Sequence, residues 1–226
     1  EEDICEADVV IYVISRISGE GKDRRKVKGD YYLSEREEED LRYLAEMNKP
    51  VILILNAGGP VELTDILEQT DNIKGILNIS QLGQEGGDAL ADVLLGKEVP
   101  GGKLTTTWAR RYEDYPASEE YGYLNGNLEK EKYKEGIYVG YRYFDSFDKK
   151  VMFPFGFGLS YTTFEMKCCS INMEESKIRA EVQVTNTGNE YAGKEVVQIY
   201  VTLPQTELEK EYKRLAGFAN TRLLKP

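Results

Sequence analysis

Residues 9–14 read VVIYVI and run directly into SRISGEGKDR at residues 15–24. Six consecutive apolar residues, most of them β-branched, are typical of a buried strand, here predicted to be central in its sheet. Glycine on either side of Glu20 gives the following loop backbone conformations that other residues rarely reach. Loops that follow the strands of an open parallel sheet hold its ligands. The stretch therefore predicts an α/β domain with one carboxylate, Glu20, at its ligand edge, although a single loop glutamate more often only faces water.

Strand and helix patterns alternate through the first half of the chain. Ser34 and Glu37 have the spacing of a capping box, and the helix that they open is predicted to end before Pro50. Residues 51–55 (VILIL) are apolar at every position, as in a strand covered on both faces, and residues 75–79 (GILNI) form a third strand. This βαβαβα order predicts a parallel sheet with right-handed crossovers.

The loops after the three strands should emerge at one edge of such a sheet. They carry Glu20, residues 56–60 (NAGGP) and residues 84–87 (QEGG). The helix after the third strand is predicted to end with Gly96 just beyond its last turn. Three glycine-containing loops at one edge are where this domain would meet a ligand or another domain.

The second half of the chain has a different composition and periodicity. Residues 112–164 hold nine of the 16 tyrosines and six of the seven phenylalanines. Aromatic rings suit sugar faces, but packing of a long connector onto its neighbours accounts for most of them. Further on, residues 178–184 and 195–201 alternate apolar with polar around a turn at residues 186–189, which predicts an antiparallel β-sandwich. The strands are too few to close two sheets, so we expect a truncated domain.

Composition excludes several classes of function. The chain has 226 residues, 29 Lys and Arg against 40 Asp and Glu, and a net charge of -11, which disfavours nucleic-acid binding. With no histidine and three cysteines, we expect neither a metal site nor a cofactor nor a histidine-dependent nucleophile. Cys168 and Cys169 are adjacent and cannot easily pair, which favours a reducing compartment and a cytoplasmic location. No apolar segment is long enough to cross a bilayer, so no membrane partner is expected.

Seven motifs of this chain stand in the order found in one enzyme family. They are residues 14–24, 55–60, 83–94, 102–104, 138–143, 153–164 and 193–201. On these motifs the chain resembles glycoside hydrolase family 3, and within it the bacterial β-glucosidase branch. The resemblance implies a barrel, an α/β sandwich and a fibronectin type III-like domain. This chain would hold the later part of the parallel-sheet α/β sandwich (residues 1–115), an aromatic-rich connector (116–158) and an incomplete antiparallel fibronectin type III-like β-sandwich (159–226).

The resemblance also implies roles for particular residues. Glu20 falls at the position of the general acid/base, and the nucleophilic aspartate would belong to a barrel that is absent from this chain. Retaining hydrolysis needs two carboxyl groups about 5–5.5 Å apart, so the residue type fits. Asp23 and Arg24 are expected to support the loop by hydrogen bonds or to lie at the edge of the substrate site.

The resulting expectation is part of a retaining exo-β-glucosidase that hydrolyses terminal β-D-glucosyl residues of oligosaccharides or β-glucosides. The alternatives are a β-xylosidase or other β-glycosidase of the family, or a non-catalytic carbohydrate-binding or scaffolding fragment. The expected partners are the substrate and the catalytic barrel domain of the same protein, and a homo-oligomer is compatible with the sequence. The isolated chain is expected to be inactive, because one carboxylate cannot carry out double displacement.

Overall fold

A computed structural model describes residues 2–17, 21, 23–121, 129–130, 132–204 and 206–226. The chain divides into two compact units, each drawn from more than one stretch of sequence. The first unit comprises Glu1–Gly87, Trp108–Glu135 and Lys150–Met152, and the second comprises Asp88–Thr107, Gly136–Lys149 and Phe153–Pro226.

The first unit is built on a parallel three-stranded sheet in the order β1-β2-β3. The register places Val10 opposite Val51 and Ile14 opposite Leu55. The predicted parallel α/β sheet is therefore confirmed. Its strands are β1 (Val10–Ser15), β2 (Val51–Asn56) and β3 (Ile73–Asn78), and the helices of the unit are α1 (Glu2–Glu6), α2 (Glu35–Glu46) and α3 (Thr64–Gln69). A two-stranded sheet of β4 (Trp108–Ala109) and β5 (Val151–Phe153) and a 3-10 helix (Tyr112–Asp114) complete the elements.

The core of the first unit lies around β2. Leu53 and Ile54 have no exposed surface, so both faces of the strand are covered, as its continuous apolar sequence predicts. Helix α2 begins with the predicted capping box: the Ser34 hydroxyl accepts from the Glu37 amide at 3.2 Å, and the Glu37 carboxylate accepts from the Ser34 amide at 2.8 Å. The helix ends at Glu46, before Pro50, as predicted.

The predicted central position of residues 9–14 is wrong for the part of the chain that the structure describes. Strand β1 lies at the edge of the sheet and pairs only with β2 among the described strands. Ile14 is fully buried, whereas Ile11 and Val13 are about half exposed. Apolar residues at every position show that a strand can be covered on both faces, but they do not show how many neighbours it has.

The second unit contains the antiparallel sheets that the alternating periodicity predicts. Its two hairpins pair β6 with β7 and β8 with β9. Within this unit the Tyr141 ring stacks on Phe155 with centroids 4.9 Å apart, which favours the packing interpretation for the aromatic region. The elements here are α5 (Tyr141–Ser146), β6 (Phe164–Glu174), β7 (Lys177–Asn186), β8 (Val196–Val201) and β9 (Arg214–Asn220), together with most of α4 (Gly86–Leu94).

One local prediction in the second unit is confirmed. Gly96 follows the end of α4 with φ +71°, a left-handed conformation that glycine adopts at little cost. Cys5, Cys168 and Cys169 are free and exposed in this structure. No helix in the described ranges is long and apolar enough to cross a membrane.

Candidate active site

The candidate site lies at the carboxyl edge of the three-stranded sheet. The strands are parallel, so β1, β2 and β3 all end at this edge, at Ser15, Asn56 and Asn78. The loop after β1 is tied to the end of β2, because the Arg16 amide donates to the Asn56 carbonyl at 3.0 Å. The common edge expected for the three loops therefore follows from the observed topology.

Glu20, the predicted general acid/base, lies outside the described residues. Its catalytic role stays a prediction. The described residues nearest to it in the sequence are Ile17 and Gly21. Ile17 is 98% exposed, and Gly21 has φ +83°, which is a glycine conformation.

Arg16, the first residue after β1, is buried and uses all five of its side-chain N–H donors. Nε donates to the Asp30 carbonyl at 2.8 Å, and Nη1 donates to the Ser15 carbonyl at 2.8 Å and to Glu37 Oε1 at 2.7 Å. Nη2 donates to the Tyr32 carbonyl at 3.2 Å and to Glu37 Oε2 at 2.6 Å. A guanidinium has five donors in a fixed planar arrangement, so its position is fully specified.

Glu37 serves two structures at once. It closes the capping box of α2 and also forms a bidentate ion pair with Arg16. Burial raises the pKa of the Glu37 carboxyl, but hydrogen bonds from Arg16 and from the Ser34 amide outweigh it and leave this pKa below its usual value. The carboxylate is therefore charged near neutral pH.

Arg24 connects the loop after β1 to the loop after β2. Its Nε donates to Asp30 Oδ1 at 2.9 Å, Nη2 donates to the Asp30 carbonyl at 2.5 Å, and Nη1 donates to the Pro60 carbonyl at 2.6 Å. A side chain at Gly59 would bring a Cβ to 3.5 Å from Arg24 Nη1, so the guanidinium lies against this turn. Burial by itself would raise the pKa of the Asp30 carboxyl. Hydrogen bonds from the Arg25 amide and the Arg24 guanidinium outweigh burial, so this pKa lies below its usual value.

Asp23 and the residues that follow it contact the 3-10 helix region. The Tyr121 hydroxyl donates to Asp23 Oδ1 at 3.3 Å. Lys26 pairs with Glu113, and its Nζ lies 4.7 Å from the centre of the Tyr112 ring. The end of the loop after β1 is therefore held from a second side by the segment at residues 112–121.

The structure brings together residues for which the sequence indicated no common role. Asp30 binds both Arg16 and Arg24, yet no motif marks it. Glu37 is recognisable from sequence only as a cap, since its partner Arg16 is 21 positions away. The sequence feature that could have identified Arg16 as a structural residue is its position directly after a strand and before the glycines. Among the described residues, no group of three or more Cys, Asp and Glu side chains could hold a metal ion.

Known proteins resemble this chain along almost its whole length. Residues 1–141 match the sequence profile of the glycosyl hydrolase family 3 C-terminal domain. The chain is 40% identical to β-glucosidase A of Butyrivibrio fibrisolvens over 260 residues, covering 97% of this chain and 31% of that protein. It is 37% identical to a β-glucosidase of Ruminococcus albus over 221 residues, covering 97% of this chain and 22% of that protein.

Solved structures give the same result. β-Glucosidase 3B from Thermotoga neapolitana in complex with glucose matches with a TM-score of 0.93 and 43% identity, covering 100% of this chain and 32% of that one. A β-glucosidase from Paenibacillus barengoltzii matches with a TM-score of 0.93 and 37% identity, covering 100% of this chain and 25% of that one. The chain thus spans about a third or less of the length of these relatives. Because the family profile and the relatives both cover most of it, the chain belongs to glycoside hydrolase family 3.

Proposed function

We propose that this chain is part of a retaining exo-β-glucosidase that releases terminal β-D-glucosyl residues by double displacement. The observation that carries the proposal is the similarity to proteins named β-glucosidase over 97% of the chain. The relative from Thermotoga neapolitana is a complex with glucose, which supports a glucosyl substrate here over a xylosyl one.

In this proposal Glu20 is the general acid/base. As a carboxylic acid it protonates the glycosidic oxygen while the nucleophile attacks the anomeric carbon, and as a carboxylate it then deprotonates the water that hydrolyses the glycosyl-enzyme. The chain has no histidine, so a carboxyl group is the natural candidate for proton transfer near neutral pH. A neighbouring nucleophilic carboxylate would favour the protonated form of Glu20.

The nucleophile is proposed to be an aspartate of a barrel domain outside this chain. The relatives are about three times as long as this chain or longer, which leaves room for such a domain. The division into α/β sandwich (residues 1–115), connector (116–158) and fibronectin type III-like domain (159–226) is part of the same proposal. The isolated chain should then have no β-glucosidase activity.

The two arginines that lie four positions before and four positions after Glu20 in the sequence are both engaged in ion pairs. Arg16 is paired with Glu37, and Arg24 is paired with Asp30. Arg24 and Asp23 are proposed to support the loop rather than to bind sugar, since Arg24 donates to Asp30 and Pro60 and Asp23 accepts from Tyr121.

The test is Glu20→Ala in the full-length protein. We expect kcat/KM on cellobiose, which reports formation of the glycosyl-enzyme, to fall by about 10²–10⁴, with a much smaller loss of kcat/KM on an activated aryl β-glucoside, whose leaving group needs no proton. Azide should restore turnover of the activated substrate and yield β-glucosyl azide. Glu39→Ala, which removes an exposed carboxylate on α2, is the matched control and should leave both activities unchanged. Undiminished cellobiose hydrolysis by the Glu20 variant would exclude this role.

A further inference from the structure

We propose that Arg16 and Glu37 are a positioning pair that holds the two ends of the loop after β1, at residue 16 and at residues 30–32, on the first turn of α2. The proposal rests on the proposed function, because it assigns the pair's effect to proton donation by Glu20. Neither side chain is assigned a contact with substrate. Both act through the backbone that they hold.

Arg16 closes the base of the segment that contains Glu20. The segment leaves β1 at Arg16 and returns at residues 30–32. One guanidinium donates to the Asp30 carbonyl at 2.8 Å and to the Tyr32 carbonyl at 3.2 Å, so the side chain at the start of the segment binds the backbone at its end. A shift of this guanidinium would move both ends together.

Glu37 connects the Arg16 guanidinium to the first turn of α2. Its two oxygens bind the two Nη atoms of Arg16 at 2.7 and 2.6 Å, and Oε2 also accepts from the Ser34 amide at 2.8 Å. Bidentate ionic hydrogen bonds of this kind fix direction as well as distance. The capped first turn of α2 is therefore joined to both ends of the segment through a single carboxylate.

The burial of the pair suggests a reason beyond stability. The Arg16 side chain is 4% exposed and that of Glu37 is 15% exposed. Buried ion pairs often stabilise a fold no more than apolar residues of similar volume would, and in some proteins they are retained because they specify one arrangement. Positional error is costly in a reaction of this type, since a misplacement of about 1 Å can reduce the rate by about a hundredfold.

Two variants of the full-length protein test the proposal. Glu37→Gln removes the charge and one acceptor but keeps a side chain that can still complete a capping box. Arg16→Lys keeps the positive charge but loses the planar set of five donors. For each variant we expect kcat/KM on cellobiose, which reports formation of the glycosyl-enzyme, to fall by about 10- to 100-fold, with less than about a threefold loss of kcat/KM on an activated aryl β-glucoside.

Two matched controls separate positioning from stability. Ser34→Ala removes the hydroxyl acceptor of the capping box and leaves the Arg16–Glu37 pair in place. Arg36→Gln removes the exposed ion pair between Arg36 and Asp40 on the same helix. Both controls should keep kcat/KM on each substrate within about twofold, because exposed pairs and caps affect stability and not the segment.

The leaving-group dependence decides the outcome, because a merely structural role would not change it. Equal losses of kcat/KM on both substrates, or an equal effect of Ser34→Ala, would overturn the positioning role. If Arg16→Lys does not fold, Glu37→Gln alone gives the answer. If Glu20→Ala shows the dependence and the pair variants do not, only the positioning inference fails. If Glu20→Ala itself shows none, the proposed function fails and the inference fails with it.

Discussion

Replacing Glu37 by glutamine should weaken the local stability of α2 at its first turn. Removing one partner of a buried ion pair costs about 3–5 kcal/mol, because the other charge is left buried. Arg16 would keep its bonds to the Ser15, Asp30 and Tyr32 carbonyls. Glu37 is also 15% exposed, so the lower end, about 3 kcal/mol, is expected.

Hydrogen exchange in the full-length protein measures this loss. At about 1.4 kcal/mol per tenfold change, a loss of about 3 kcal/mol corresponds to roughly 100-fold faster exchange of amides in Glu35–Glu46 that exchange by local opening. Arg36→Gln on the same helix is the control and should change exchange by less than about threefold. A change of that small size in Glu37→Gln would refute the assignment of a stabilising buried pair.

The same variant gives a pH dependence with a definite sign. The pKa of Glu37 is lowered from its usual 4.5 by hydrogen bonds that outweigh burial. A carboxyl group with a lowered folded-state pKa contributes stability that is complete above pH 4.5 and is lost as the pH falls through its folded-state pKa. The difference in protection between wild type and Glu37→Gln, corrected for intrinsic exchange rates, should therefore be largest near neutral pH and shrink below about pH 4. A difference that is unchanged at low pH would contradict the charged state of Glu37.

Three further predictions for the full-length protein concern its packing. Leu53→Ala, at a position with no exposed surface in the central strand, should cost about 2–5 kcal/mol in urea unfolding, and a cost below about 1 kcal/mol would contradict the assigned core. Gly158→Ala would place a Cβ against the Gly102 carbonyl oxygen and should cost about 1–3 kcal/mol in unfolding free energy. Gly102→Ala, whose Cβ would have nothing within 4 Å, should be nearly neutral, and equal effects of the two variants would contradict the close approach. Burial and the hydrogen bond to Asp40 raise the pKa of the Tyr12 hydroxyl. The stability that this hydroxyl contributes is therefore complete below pH 10 and is lost at higher pH. The free energy of unfolding of Tyr12→Phe should accordingly fall less in alkali than that of wild type.

Features that depend on neighbouring residues were predictable from the sequence. The capping box needs only Ser34 and Glu37, three positions apart, and the end of α4 needs only a glycine that tolerates positive φ at Gly96. The continuous apolar run of β2 indicated a strand covered on both faces. These are short-range effects, and a few adjacent residues contain the whole physical cause.

Features that depend on distant partners were not predictable in this way. The runs of β1 and β2 look alike in sequence, yet β1 lies at the edge among the described strands and β2 at the centre. Nothing in residues 15–24 indicated which side chains Arg16 and Arg24 would contact. Arg16 meets Glu37 and Arg24 meets Asp30 only because the sheet brings α2 and the returning segment to the end of β1.

The sequence by itself therefore determined the element types, the parallel order of the first half, the antiparallel pairing of the second and the resemblance to glycoside hydrolase family 3. Periodicity, capping and turn chemistry act over a few residues, and the order of motifs along the chain can be recognised without any knowledge of tertiary contacts. Only the tertiary structure decided that one part-buried carboxylate, Glu37, both caps α2 and holds Arg16. A guanidinium with five donors has many acceptors to choose from along the chain, and chain folding alone determines which of them come within 3.2 Å.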